Sequence, residues 1–195
     1  MTRGISHYLA ILLTLAVAGG IAFWAWNGLK SPPVSEPTVS IVTTPAGWKS
    51  FEAGPFSLYA PKYAVLRKLQ DTDHAVGMLI GLGFNVRYEF SIRSNTLAEK
   101  ANNTDYSESE TVIDGRRGVL RKATLSAEAQ QARFGAYAQP SYIGLYIPQA
   151  VRHTGPDGRE VWYALQIEGA AANADERDMV EMILKSIRFQ GHQVQ

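Results

Sequence analysis

Cysteine is absent from the 195-residue sequence, and histidine is scarce. Without cysteine the chain can form no disulfide and can carry no lipid on an N-terminal cysteine. The four histidines are too scattered for a recognised zinc-binding spacing: His7, His74, His153 and His192. The sequence also lacks the Gly-x-Ser-x-Gly elbow that presents a nucleophilic serine. No residue constellation indicates a reaction, so we expect a protein that is not an enzyme and has no cofactor.

An excess of charge of either sign is also missing, because the chain has 19 basic and 18 acidic residues. All the acidic residues follow position 30, whereas Arg3 and Lys30 lie at or before it, which leaves the rest of the chain with a net charge of −1. The densest basic stretch, 116–122, is explained as the solvated face of a strand. Since a nucleic-acid footprint needs clustered cations, we expect no nucleic-acid partner.

Charged residues are entirely missing from residues 5–26, a stretch of 22 residues without Asp, Glu, Lys or Arg. A helix of this length spans roughly 33 Å, enough to cross a hydrocarbon core about 30 Å thick. The aromatic rings of Phe23, Trp24 and Trp26 at its end are typical of the level of the lipid headgroups. The sequence therefore predicts a transmembrane anchor within residues 1–30, with the lipid bilayer as a partner through residues 5–26.

The charges that flank this segment predict its orientation. Arg3 and the amino terminus precede it and Lys30 follows it, a bias of about one charge that favours a cytoplasmic N-terminus. We therefore expect a single-pass protein of the inner (cell) membrane with its C-terminal domain in the periplasm. The alternative is a cleaved signal peptide, with Ala-Val-Ala at 16–18 as the cleavage site. Strong hydrophobicity continues to Trp26, well past that site, which favours an uncleaved anchor.

The remaining chain divides into a tether, one domain and a tail. Residues 31–46 contain four prolines with Ser and Thr between them, a composition that predicts an extended linker. Residues 47–190 are enough for one domain with its own core, and 191–195 form a short tail.

Alternating apolar and polar residues predict an antiparallel sheet for most of this domain. Gly54-Pro55 and Asp114-Gly115 mark two hairpin turns. Residues 94–107 are predicted to be a polar loop with a helical turn near 97–101, and 126–139 a helical or irregular insertion. The strands predicted before this insertion cover 48–53, 56–60, 63–69, 76–80, 86–92, 111–113 and 118–125.

The last third carries the clearest pattern. Apolar residues alternate with others over 142–147 and again over 160–167, which predicts a hairpin around the turn 155–158. A helix follows, capped by Asn173, and its apolar residues share one face: Val180, Ile183, Leu184 and Ile187. The predicted fold class is α+β, a central antiparallel sheet flanked by helices, preceded by one N-terminal transmembrane helix.

Two groups of residues could hold a metal. Asp71, Asp73 and His74 lie close together, but adjacent positions point in different directions and no further ligands are identifiable. His153 and Asp157 flank the last predicted turn. We interpret both groups as ordinary polar turns and expect no metal.

Three aromatic residues are candidates for partner binding. Tyr142, Tyr146 and Trp162 lie on the face of the last hairpin opposite its aliphatic row. If that face is open, these rings form a partner-binding surface, since Tyr and Trp carry much of the energy of interfaces. If a second helical layer covers it, they belong to the core. Both alternatives stay open at the level of sequence.

The order of these elements resembles the PsbP-like family, which includes the DcrB-type bacterial proteins. The resemblance rests on three motifs: Phe-Ser-Leu-Tyr-Ala-Pro at 56–61, Ile-Asp-Gly at 113–115, and Met-Ile-Leu-Lys-Ser-Ile-Arg-Phe at 182–189. It covers residues 48–190. It implies an antiparallel sheet sandwiched by helices and a role in binding or assembly, and it supplies no catalytic residues. Many bacterial relatives are lipoproteins, from which this cysteine-free chain departs.

From these features we expect a membrane-anchored, periplasmic, non-enzymatic module that binds an envelope protein, such as a secretion-system accessory or an immunity protein. The rival is a small-molecule or metal carrier domain, or an unrecognised hydrolase. A deep pocket lined by Asp71, Asp73 and His74 would favour the rival, and a flat aromatic surface would favour the protein binder.

The predicted orientation can be tested with a reporter enzyme that is active only outside the cytoplasm. Fused after Gln195, it should be active, because the positive charge at Arg3 retains the N-terminus inside. The same fusion to a chain lacking residues 5–26 is the control and should be silent. A silent full-length fusion would contradict the orientation.

Overall fold

The computed structural model describes residues 44–69, 75–92, 95–101, 103–154 and 157–190. The predicted membrane segment at 5–26 and the tail at 191–195 lie outside these ranges, as does the tether up to residue 43. Within the described part of the chain, no helix has the length and hydrophobicity needed to cross a membrane.

Two antiparallel sheets and two α-helices account for most of the described residues. The strands are β1 Trp48–Glu52, β2 Phe56–Pro61, β3 Val65–Leu69, β4 Ala75–Ile80, β5 Phe84–Ser91, β6 Asn103–Ile113, β7 Arg116–Leu125, β8 Ser141–Thr154, β9 Glu160–Ala171 and β10 Arg188–Phe189. The helices are α1 Ala127–Phe134 and α2 Ala174–Lys185, with a 3-10 turn at Gly135–Tyr137. The larger sheet has the order β3-β4-β5-β9-β8-β7-β6, and the smaller one β1-β2-β10.

The three predicted hairpins are confirmed. Strands β1 and β2 pair around Gly54-Pro55, and β8 pairs with β9 from Ser141 opposite Ala171 to Thr154 opposite Glu160. In the β6–β7 turn, Asp114 and Gly115 both have positive φ angles, 49° and 78°. A two-residue turn of this kind matches the twist of its strands, and glycine adopts the second position without steric cost.

The hydrophobic core lies on one face of the larger sheet, called here the core face. The aliphatic rows of β8 and β9 are completely buried: Ile143, Leu145, Ile147, Leu165 and Ile167. Helix α2 packs on them through Val180, Ile183 and Leu184. The Asn173 side chain accepts a hydrogen bond from the Glu176 amide at 3.1 Å, which confirms the predicted cap. The predicted apolar face is confirmed for Val180, Ile183 and Leu184, whereas Ile187 is buried in the same core but lies beyond the end of the helix at Lys185.

The smaller sheet closes the rest of the core face. The ring of Phe56 meets that of Tyr88 edge to face, with centroids 5.3 Å apart. The Phe189 amide donates to the Asp114 carboxylate at 2.8 Å, which ties the tip of the β6–β7 hairpin to β10. Arg116 stacks over the Phe189 ring with its guanidinium carbon 3.9 Å from the centroid. The two sheets are therefore held by a polar link as well as by apolar contact.

Two predictions need correction, and one alternative is resolved. Strand β6 begins at Asn103, inside the predicted loop 94–107, and residues 95–101 contain no helical turn. Strand β6 forms a sheet edge and is exposed along most of its length, so it has no alternating apolar pattern to reveal it. For 126–139 the helical alternative is correct, since Ser126 caps α1. The helices lie on opposite faces of the larger sheet, in agreement with the predicted sheet flanked by helices.

An ion pair between α2 and the sheet predicts an acid-sensitive contribution to stability. Lys122 and Lys185 donate to the Glu181 carboxylate at 2.5 and 2.8 Å. Burial alone would raise the pKa of Glu181, but the hydrogen bonds from both lysines lower it below the ordinary 4.5. Since the folded state holds this carboxyl ionised, its contribution is complete above pH 4.5 and is lost as the pH falls further.

Glu181→Gln should therefore lower the free energy of unfolding by about 1 kcal/mol at neutral pH. Urea unfolding at several pH values checks this, and the gap to the wild type should close in acid. Glu110→Gln, at an exposed position of β6, is the control and should change little. A gap that persists at low pH would contradict the role of the ionised carboxylate.

Candidate binding face

The described residues cover only part of the face of the larger sheet opposite the core, called here the second face. Helix α1, the 3-10 turn and residues 95–101, called here the strap, lie over one part of it. Because side chains alternate along a strand, Tyr142 and Tyr146 of β8 share this face with Trp162 and Glu168 of β9. The site is best described as a covered part and an open part.

Tyr142 anchors the covered part. Its side chain is completely buried and contacts the ring of Phe134 at the end of α1, with centroids 6.4 Å apart. Its hydroxyl donates to Glu168 Oε1 at 3.0 Å and accepts from the Ala98 amide at 3.1 Å. Burial, and then the neighbouring Glu168 carboxylate, raise the pKa of Tyr142 well above its ordinary value. The phenol is therefore neutral and serves as a fixed hydrogen-bond donor.

Glu168 is a buried carboxylate on the same face, only 8% exposed. Besides the hydrogen bond from the Tyr142 hydroxyl, Glu168 Oε1 accepts a hydrogen bond from Arg133 Nη1 of α1 at 2.5 Å. The same Arg133 nitrogen lies 3.1 Å from the carbonyl oxygen of Thr96 in the strap. A buried charge is tolerated when it is paired and hydrogen-bonded, and here a strand, a helix and the strap meet at one carboxylate.

Side chains of the sheet hold the strap in place. Gln166 accepts from the Thr96 amide at 2.9 Å and donates to its hydroxyl at 2.7 Å. Arg121 donates to the Leu97 carbonyl at 3.2 Å. Leu97 is buried over Gly144, where a Cβ would lie only 2.8 Å from its Cδ2 atom. Glycine at position 144 therefore leaves room for both the Tyr142 hydroxyl and the Leu97 side chain of the strap.

The three aromatic residues predicted to bind a partner have different environments. For Tyr142 the core alternative is correct, because α1 and the strap cover its side chain completely. Tyr146 is half-buried, and Trp162 is 45% exposed at the uncovered end of β9. The second face is thus covered at Tyr142 and partly exposed at Tyr146 and Trp162, along the same pair of strands. A partner-binding role for Tyr146 and Trp162 stays a prediction.

The open part continues across β3 and β4 to the middle of β5, a region that the sequence did not reveal, whereas Asn85 near the start of β5 is buried and donates to the Tyr137 carbonyl. Val65 and Leu69 are 57% and 48% exposed, and their register partners on β4, Ile80 and Val76, are half-buried. We call this region the open corner. Alternation in Val-Leu-Arg-Lys-Leu, 65–69, already places Val65 and Leu69 on one face, but only the strand order shows that nothing described covers it.

The other candidates do not form a site among the described residues. No group of three or more metal-ligating side chains occurs there, and Asp71, Asp73 and His74 lie outside the described ranges. His153 contacts the ring of Tyr163, while Asp157 pairs with Arg159 at 3.4 Å.

The basic stretch at 116–122 is divided between environments. Arg121 binds Glu108 on the second face at 2.7 Å, whereas Lys122 binds Glu181 on the core face at 2.5 Å. Arg116 lies over the Phe189 ring. These three cations do not combine into one patch, in line with the interpretation of this stretch as a strand with alternating faces.

No family model and no curated protein sequence matches the chain. Among solved structures, it is similar to cyanobacterial PsbP (CyanoP) from Synechocystis sp. PCC 6803, studied in solution. The match covers 82% of this chain and 100% of that chain, with 11% identity and a TM-score of 0.43. This likeness concerns general architecture alone, and no residue or function is transferred from it. The narrower resemblance to DcrB-type proteins stays a prediction.

The network at Glu168 predicts a large effect of removing its carboxylate. Glu168→Ala should lower the free energy of unfolding by about 3 kcal/mol, because it leaves Arg133 and the Tyr142 hydroxyl without their shared acceptor. Urea unfolding measures the loss, and hydrogen exchange should show faster exchange at the Ala98 amide. Glu110→Ala, at an exposed position of β6, should cost less than about 0.5 kcal/mol. Equal losses in the two variants would contradict the proposed network.

Proposed function

We propose that the chain is a membrane-anchored, non-enzymatic module of the bacterial envelope that binds another protein through the open part of its second face. The observation that carries this proposal is that the described residues cover that face only in part: Trp162 of β9 is 45% exposed and Tyr146 of β8 is half-buried, whereas Tyr142 of β8 is completely buried. Trp and Tyr are enriched at protein interfaces, and the open part contains one of each.

The polar groups of the covered part support a structural role for that half. Tyr142, Arg133 and Glu168 bind one another, and Gln166 and Arg121 bind the strap. Each of these groups is engaged in holding α1 or the strap against the sheet. This arrangement favours a rigid platform that displays its uncovered half, which is the architecture expected of a binding module.

The proposed location of the module rests on the sequence. Residues 5–26 are the proposed anchor in the inner membrane, and the Pro-rich tether 31–46 would join this anchor to a domain in the periplasm. A secretion-system accessory or an immunity protein would suit an anchored single module, by analogy alone.

A photo-crosslinking experiment tests the proposed surface. The full-length chain carries a benzophenone amino acid at position 162 in one version and at position 182 in another. Met182 is 42% exposed on α2 and provides a matched control on the other side of the sheet. Crosslinks to a protein in intact cells should form at 162 and not at 182.

Trp162→Ala should then reduce recovery of the crosslinked partner at least about tenfold, because tryptophans that become buried on binding are typical hot spots of interfaces. The residue is exposed in the free domain, so its replacement should leave the unfolding transition nearly unchanged. Absence of crosslinks at 162, or equal crosslinking at 182, would overturn the proposed function.

A further inference from the structure

Strand register brings two arginines and a methionine into one row of the open corner. Arg67 of β3 lies opposite Met78 of β4, and Met78 lies opposite Arg87 of β5. All three residues belong to the second face, since their positions alternate with the core-facing Leu66, Leu79 and Val86. Two strand spacings separate the arginine Cα positions by roughly 10 Å. Residues distant in sequence thus form a short row with a cation at each end.

Apolar side chains lie on both sides of this row. Val65 and Ile80 form the neighbouring pair on one side, and Leu69 and Val76 form the pair on the other. Val65 and Leu69 are about half exposed, and the three β4 residues on this face are half-buried. A segment laid on the open corner would therefore bury apolar surface and desolvate two guanidinium groups at the same time.

Neither guanidinium has an ion-pair partner among the described side chains. By contrast, Arg121 and Arg133 on the covered part of the same face each bind a carboxylate. Glu168 is the register neighbour of Arg87, but its carboxylate is bound by Arg133 and Tyr142. The second face thus holds paired arginines where it is covered and unpaired ones where it is open.

We infer that the open corner binds an amphipathic segment of a partner protein whose carboxylates pair with Arg67 and Arg87. This inference rests on the proposed function and adds the chemistry of the partner. A purely apolar segment would leave two desolvated cations without partners, and a basic one would be repelled. Carboxylates match the planar guanidinium through two parallel hydrogen bonds, which gives the acidic segment the advantage.

The edge of the sheet favours a polypeptide over a lipid surface as the occupant. Strand β3 is the outermost strand of the larger sheet, and no described strand pairs with its outer side. Where a bound polypeptide continues from the open corner past this edge, its backbone can satisfy the free backbone groups of β3, whereas a lipid headgroup offers no matching ladder.

The test uses defined peptides and the full-length chain in nanodiscs of zwitterionic lipid. A fluorescent peptide of alternating Leu and Glu is compared with Leu-Gln and Leu-Lys peptides of equal length, and binding is read from anisotropy. The Leu-Glu peptide should bind at least about tenfold more tightly than the Leu-Gln peptide, and added salt should weaken its binding. The Leu-Lys peptide should not bind.

Charge reversal identifies the residues responsible. Arg67→Glu and Arg87→Glu should each weaken binding of the Leu-Glu peptide about tenfold or more. Lys68→Glu is the matched control, since Lys68 is the exposed neighbour of Arg67 on the same strand but faces the other side of the sheet. It changes the net charge equally and should alter binding less than about twofold. Unfolding transitions of all three variants establish that they are folded.

Three results would overturn the inference: equal loss in Lys68→Glu, equal binding of the Leu-Gln peptide, or no effect of reversing either arginine. A fourth is binding of vesicles of phosphatidylcholine and phosphatidylglycerol that depends on both arginines while the Leu-Glu peptide does not bind, which would assign the corner to a lipid surface. Crosslinking at position 162 without peptide binding would remove the inference and leave the proposed function standing. Peptide binding without any crosslinks would overturn the proposed function and leave the acidic-segment binding of the open corner standing.

Discussion

A single buried carboxylate organises the second face of the sheet. Glu168 lies on the central strand β9, where an uncompensated charge would be strongly unfavourable, so its neighbours must supply donors. They come from β8 through Tyr142 and from α1 through Arg133, which also binds the strap. Helix α1 itself buries only Phe134, so apolar contact alone gives it a weak hold. The polar network therefore determines where the cover of this face begins and where it ends.

The two faces of the sheet are stabilised in different ways. The core face is closed by apolar packing of α2 and the smaller sheet, with the Asp114 carboxylate as a polar tie to β10. The second face has a small apolar cluster around Tyr142, and beyond it the described residues leave β3 and β4 partly exposed. The proposed function depends on this difference: the core face supplies most of the stability, and the open part of the second face would contact the partner.

The elements that can be predicted from the sequence are those whose apolar residues contact the core at regular intervals. The aliphatic rows of β8 and β9 and the apolar face of α2 each contact the core, so their periodicity is visible in the chain. Strand β6 contacts solvent on most of its length and carries no such signal. The sequence could not show that Tyr142 is buried and Trp162 exposed, because both lie on the same face of the sheet. The difference comes from the strap, which covers Tyr142 and has no periodic pattern that would predict its position. Arg67 and Arg87 become neighbours only through strand order.

The smallest strand has a consequence for how the chain is made. Tyr59 of β2 donates its amide to the hydroxyl of Ser186, a partner 127 residues later, and β10 then pairs with the same strand. The smaller sheet is therefore incomplete until nearly the whole domain has been synthesised, and loop closure over such a distance is slow. Because synthesis begins at the N-terminus, the chain lacks a complete smaller sheet until β10 has been made.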